Sequence, residues 1–156
     1  MDNTNRDSAR TIFAIAALLE SQGANPYRVR AYRRAAIGLL RLPEQAERYT
    51  NPSGELELPW LGPRLRRKLG ELVRHGRMQF HDNLLAELPR PLRELLSVPG
   101  IGPKTAERLI GELGIRGLRS LARAARQGRL RKLRGIGPTR ERQLGTAAEH
   151  LLAQAA

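Results

Sequence analysis

The chain has 156 residues, 40% apolar but only 4% aromatic, with 28 basic against 15 acidic side chains and a net charge of +13. That charge points to a polyanion, nucleic acid before an anionic membrane, while the lack of cysteine excludes disulfides and thiolate metal sites, and His75, His81 and His150 are too scattered to form a ligand pattern. No apolar run approaches the ~20 residues that span a bilayer and no signal peptide opens the sequence, so a cytoplasmic, nucleoid-associated protein without a membrane partner is expected.

Ala, Leu, Arg and Glu dominate, and valine occurs only at Val29, Val73 and Val98. This is helix-forming composition and predicts an all-α fold. Of the 28 basic residues only Lys68, Lys104 and Lys132 are lysines. Arginine grips phosphate bidentately but cannot act as a neutral amine, so Schiff-base chemistry is confined to those three side chains and the amino terminus. The arginine excess reflects either a phosphate partner or a GC-rich coding sequence.

Residues 1–7 are polar and expected to fray. Asp7 or Ser8 is placed to cap a helix whose apolar positions Ile12, Ile15, Ala16 and Leu19 recur at helical spacing, with Gly23 ending it. Asn25-Pro26 starts a second helix, in which Val29, Tyr32, Ala36, Leu39 and Leu40 fall within an arc of roughly 100°. Arg30, Arg33, Arg34 and Arg41 lie opposite, with no acid on that face to balance them. Such a face is either solvated or a contact surface for polyanions. Pro43 is read as opening a short helix to about Tyr49, and Asn51-Pro52-Ser53-Gly54 as a turn.

A motif then appears three times: Leu-Pro-Trp-Leu-Gly-Pro-Arg-Leu at 58–65, Val-Pro-Gly-Ile-Gly-Pro-Lys-Thr-Ala at 98–106 and Leu-Arg-Gly-Ile-Gly-Pro-Thr-Arg at 133–140. Each reads as the hairpin of a helix-hairpin-helix unit. Glycine at 100 or 102 tolerates φ > 0, and Pro103 suits the first helical position, where its missing N–H is not needed. Open amides and the positive end of the helix dipole then favour a phosphate oxygen. The predicted contacts are Gly62 and Arg64 in the first hairpin, Gly100, Gly102, Lys104 and Thr105 in the second, and Gly135, Gly137, Thr139 and Arg140 in the third. Arg33 adds to them from the basic helix face.

Helices are predicted from Pro63 to about His75, over 77–88, Leu92–Leu96, Pro103–Leu113 and 118–127, and from Pro138 to about Ala153, with 130–133 entering the third hairpin. Pro89-Arg90-Pro91 marks the expected boundary between a domain at 1–88, with one hairpin, and a tandem helix-hairpin-helix domain at 89–156.

The run Asn-Pro-Tyr-Arg-Val-Arg-Ala-Tyr-Arg-Arg-Ala-Ala at 25–36, the Leu-Pro-x-Leu-Gly at 58–62, the Val-Pro-Gly-Ile-Gly-Pro-Lys-Thr-Ala at 98–106 and the Leu-Gly-Ile at 113–115 resemble the amino-terminal region of bacterial family X DNA polymerases. The resemblance covers nearly the whole chain. It implies binding of gapped or nicked DNA, with Arg28, Tyr32, Arg64 and Lys68 forming a 5′-phosphate pocket and Tyr27 stacking on a template base. It implies further that Lys68 matches a lysine that in some members attacks the sugar of an abasic site. It also implies that Gly102 and Gly137 lie beside backbone carbonyls able to hold a monovalent cation, K+ or Na+, with no other cofactor required. No paired aspartates on a strand are available for two metal ions, so nucleotidyl transfer is not expected. Trp60 replaces the first hairpin glycine and Arg66 a usual small residue, so the first hairpin is either distorted or uses Trp60 on a base or sugar; otherwise Trp60 packs.

Three functions compete. The first is sequence-independent binding to gapped, nicked or branched DNA without catalysis, alongside a repair enzyme. The second is a β-elimination lyase in which Lys68, its pKa lowered by Arg64, Arg66 and Arg67, forms an imine with the open sugar. The third is a protein-interaction scaffold.

Overall fold

In the computed structural model, which describes residues 4–156, the first helix, α1 (Asn5–Ser21), begins at a capping box. Thr4 Oγ1 accepts from the Asp7 amide at 3.2 Å and the Asp7 carboxylate accepts from the Thr4 amide at 3.2 Å. The cap is therefore Thr4, one turn before the Asp7 or Ser8 expected; Ser8 is buried on the core side. Of the stretch expected to fray, residues 1–3 lie outside the described part.

The chain divides into two compact units, Met1–Glu87 and Leu88–Ala156. In the first, α1 pairs with α2 (Pro26–Leu40). Asn25 caps α2 by accepting from the Tyr27 amide at 2.9 Å, with Pro26 in the first turn. Ile12, Ile15, Leu19, Val29, Tyr32 and Leu39 fill the seam, and α3 (Pro63–His75) and α4 (Gln79–Ala86) close it with Leu69, Leu72 and Phe80. Leu40, expected in the apolar arc, is 50% exposed because it ends α2.

The helix expected from Pro43 is a single 3-10 turn, Ala46–Tyr49. Asn5 accounts for the difference: its Nδ2 donates to the Glu44 carbonyl at 2.8 Å and its Oδ1 accepts from the Ala46 amide at 2.7 Å. Backbone groups that a longer helix would pair internally are held by α1 instead. An isolated antiparallel bridge between Thr50 and Leu56 then leads into the first hairpin.

The second unit contains α5 (Arg90–Leu96), α6 (Pro103–Leu113), α7 (Leu118–Arg126) and α8 (Pro138–Ala155), with a 3-10 turn at Leu130–Lys132 before the third hairpin. Pro89 and Pro91 sit at the cap and first turn of α5. Leu95, Leu109, Leu121, Leu130 and Leu144 centre its core. Glu94 supplies the missing cap of α7: its carboxylate accepts from the Leu118 amide at 3.0 Å and from Arg90 Nε at 2.9 Å. The hydrogen bond from Leu118, more than the Arg90 bond and charge, holds the Glu94 carboxyl below the usual carboxylate range. The molecule is all-helical among the described residues, a helix-hairpin-helix domain followed by a tandem.

Candidate nucleic-acid interface

All three hairpins turn on the same hydrogen bond. The amides of Leu61, Ile101 and Ile136 donate to the carbonyls of Leu58, Val98 and Leu133 at 3.0, 3.1 and 3.1 Å. In the second and third, the residue before the donor is a glycine with φ of +91° at Gly100 and +93° at Gly135, a region glycine enters without strain. Trp60 holds that position in the first hairpin, and no non-glycine among the described residues has positive φ. The first turn therefore closes the same bond through a different backbone path, with a half-exposed indole where the others have bare backbone.

After each turn a Gly-Pro pair opens a helix, with Gly62, Gly102 and Gly137 as extended N-caps and Pro63, Pro103 and Pro138 in the first turn. The first amides to find a helical acceptor are those of Arg66, Ala106 and Glu141, bonded to the N-cap carbonyls. The amides of Gly62, Arg64 and Leu65, of Gly102, Lys104 and Thr105, and of Gly137, Thr139 and Arg140 reach no acceptor among the described residues. A Cβ built on Gly62, Gly102 or Gly137 would meet nothing within 4 Å, so the approach to each set is open. At every hairpin, adjacent N–H groups and a helix dipole converge on empty space, an arrangement suited to an anion.

In the tandem, arginines join the two loops. Arg140, from the third hairpin's helix, donates to the carbonyls of Gly135 at 3.2 Å and Gly100 at 3.0 Å. Arg108, on α6, donates to the Arg134 carbonyl at 2.9 Å. The guanidinium of Arg140 thus spans the two turns. Below the third hairpin the buried Glu141 carboxylate accepts from the Arg131 side chain at 2.9 and 2.6 Å and from its amide at 3.1 Å. Burial alone would raise the Glu141 pKa, but the bonds and charge of Arg131 outweigh it and hold it low.

The second feature is a basic pocket in the first unit. Tyr32 is buried, and Lys68 Nζ donates to its hydroxyl at 3.3 Å. Lys68 Nζ also lies 3.9 Å from the Phe80 ring centroid, with the Arg28 guanidinium carbon 5.1 Å from the same centroid. Phe80 stacks on Tyr32 at 6.0 Å, so one aromatic floor carries two cations. Burial, then the charges of Arg28 and Arg64, pushes the Lys68 amine below its usual pKa, and burial raises that of Tyr32. Of the neighbours expected to act on it, Arg64 does so, joined by Arg28, whereas Arg66 and Arg67 turn elsewhere. Arg66 donates to the Leu61 carbonyl at 3.0 Å, and Arg67 lies 3.8 Å from the Glu55 carboxylate.

Arg28, Tyr32, Lys68 and Arg64 are thus brought together, and Phe80 joins them without having been singled out in the sequence. Tyr27 is 75% exposed, with Arg30 4.9 Å from its ring centroid. Arg33 departs from expectation: it pairs with Glu20 of α1, so the basic face of α2 does have an acid beside it, supplied by another helix. Among the described residues no group of three His, Asp or Glu side chains is arranged to hold a metal ion, and no helix is long and apolar enough to cross a membrane.

Comparison with known proteins agrees with these hairpins. Residues 3–78 match the family described as helix-hairpin-helix domain, and residues 92–148 the family described as SAM-like helix-hairpin-helix tandem. The chain is 31% identical over 140 residues to the DNA polymerase/3'-5' exonuclease PolX of Bacillus subtilis (strain 168), which covers 89% of this chain and 24% of that protein. It therefore spans about a quarter of the length of the curated relative it matches. The chain is a helix-hairpin-helix protein, a single domain followed by a tandem, similar along nearly its whole length to the amino-terminal part of a family X DNA polymerase.

Proposed function

We propose that this chain binds DNA through the phosphate backbone, without reading sequence, and that its targets are gaps, nicks or branches met during repair in the cytoplasm, beside a repair enzyme. The observation that carries this reading is the triple recurrence of open amides behind a Gly-Pro pair, in a chain of net charge +13. Amides and arginines that meet phosphate fix position but carry no base information. In this reading residues 1–88 hold the 5′ phosphate through Arg28, Arg64 and Lys68, and residues 89–156 hold the duplex. K+ or Na+ beside Gly102 and Gly137 belongs to the same reading.

The test is fluorescence anisotropy with gapped, nicked, branched and intact duplexes at several salt concentrations. With about four phosphate contacts, affinity should fall on the order of a hundredfold between roughly 50 and 200 mM salt. Discontinuous substrates should bind best, and permuting their sequence should change little. Salt-independent binding, or strong preference for one duplex sequence, would overturn the reading.

The lowered pKa of Lys68 favours a second reading, a lyase in which the neutral amine forms an imine with an abasic-site aldehyde. A clamp is nevertheless the expected result, because among the described residues no carboxylate or histidine is hydrogen-bonded to Lys68 as a base. Borohydride trapping on an abasic duplex decides between them. A clamp leaves wild type at the background of an unrelated basic protein, whereas a lyase gives an adduct that Lys68→Arg abolishes.

A further inference from the structure

Trp60 is the chain's single tryptophan, and it has a defined seat. A Cβ built at Gly38 would lie 2.3 Å from its Cη2 and 2.6 Å from both Cζ2 and Cζ3. Near-equal distances put Gly38 beneath the face of the six-membered ring, since an approach in the ring plane would leave the flanking carbons well beyond Cη2. The absent side chain of Gly38 is what lets the indole lie on α2. With one face so covered, the residue is still 46% exposed.

Trp60, Ile37 and Leu42, together with Arg34 and Arg41, line an open groove of about 610 Å³. Neither arginine has a carboxylate or hydrogen-bond partner for its side chain among the described residues. An apolar aromatic platform edged by two unpaired cations is complementary to a base with its flanking phosphates. An apolar protein segment would cover the ring but leave both charges unmatched. Two residues beyond Trp60 begin the open amides of the first hairpin, where the same strand would continue.

We propose that this groove is a subsite for one unpaired nucleobase, stacked on the open face of Trp60 with Arg34 and Arg41 on the adjacent phosphates. It deepens the DNA-binding reading and rests on it. A base within an intact duplex has both faces covered by its neighbours and cannot enter, so the groove distinguishes a gap or frayed end from continuous duplex.

Because the tryptophan is unique, its fluorescence reports the subsite in the unmodified protein. The whole chain is titrated with a short oligothymidylate, with a sugar-phosphate strand of equal length lacking bases, and with a blunt duplex, while anisotropy of the labelled DNA reports binding. The oligothymidylate should quench Trp60, and the baseless strand and duplex should bind with little quenching. Trp60→Leu should weaken single-strand affinity roughly tenfold, as expected for one lost stacked base, and leave duplex affinity unchanged. Gly38→Ala, by lifting the ring from its seat, should reduce the quenching in an otherwise folded protein.

Single-strand binding without quenching, equal quenching by the baseless strand or the duplex, or binding of duplex alone would overturn the subsite while leaving the proposed function standing. That first result would leave the groove to a protein partner. Failure of every DNA to bind would remove both.

Discussion

Lys68 shares its pocket with Arg28 and Arg64, and burial together with these charges favours the neutral amine. The pH midpoint for its acylation, read by peptide mass spectrometry, should lie below that of an ordinary lysine. Arg28→Gln should move the midpoint up only part of the way, since burial, the larger cause, remains. A 5′-phosphorylated DNA end should raise it further by rewarding the charged form, and a midpoint unmoved by both changes would mean that the pocket does not act on this amine. Arg28, Tyr32, Arg64 and Lys68 were legible as a set only through the resemblance, because no periodicity links positions 28 and 68. Phe80 was not legible at all: a lone phenylalanine on an eight-residue helix carries no pattern, and only the return of α4 onto the core brings it under Lys68. Arg33 looked unopposed for a related reason, since Glu20 lies on the preceding helix and not on its own.

At the scale of elements, the two glycines of one hairpin have different duties. Gly102 has an ordinary φ of −95° and open space where a Cβ would go. Gly102→Val should leave circular dichroism and thermal midpoint nearly unchanged while lowering duplex affinity several-fold by blocking phosphate approach. Gly100→Ala should do the reverse in part, costing about 1 kcal/mol of stability through its φ of +91°. If Gly102→Val bound DNA normally, the second hairpin would be a packing element only. The bounds of α3 and α6 were readable because proline marks the first turn and Gly76 and Gly114 take left-handed caps. Pro43 gave the same opening signal without a helix behind it. Proline fixes only φ, and the Asn5 side chain, 39 residues from Glu44, had already taken the carbonyl a helix needs.

At the scale of the whole molecule, the response of the second unit to acid follows from two of its carboxylates. Glu94 and Glu141 both have folded pKa values below the usual glutamate value. Each stabilises the fold fully above its unfolded pKa, and that contribution is lost as pH falls through the carboxylate range towards the folded value. Calorimetry between neutral pH and pH ~3 should show the Leu88–Ala156 unit losing stability along that limb. Glu141→Gln should be weaker at neutral pH and lose less on acidification; an unchanged acid limb in this variant would refute the assignment. Both carboxylates secure entrances: Glu94 the start of α7, and Glu141 the 3-10 turn before the third hairpin. The ties between the loops are of another kind, guanidinium groups of Arg108 and Arg140 on carbonyls of Arg134, Gly135 and Gly100. No carboxylate takes part in these ties. Acid therefore weakens the entrances of the tandem directly, while the ties between its loops lose no carboxylate partner.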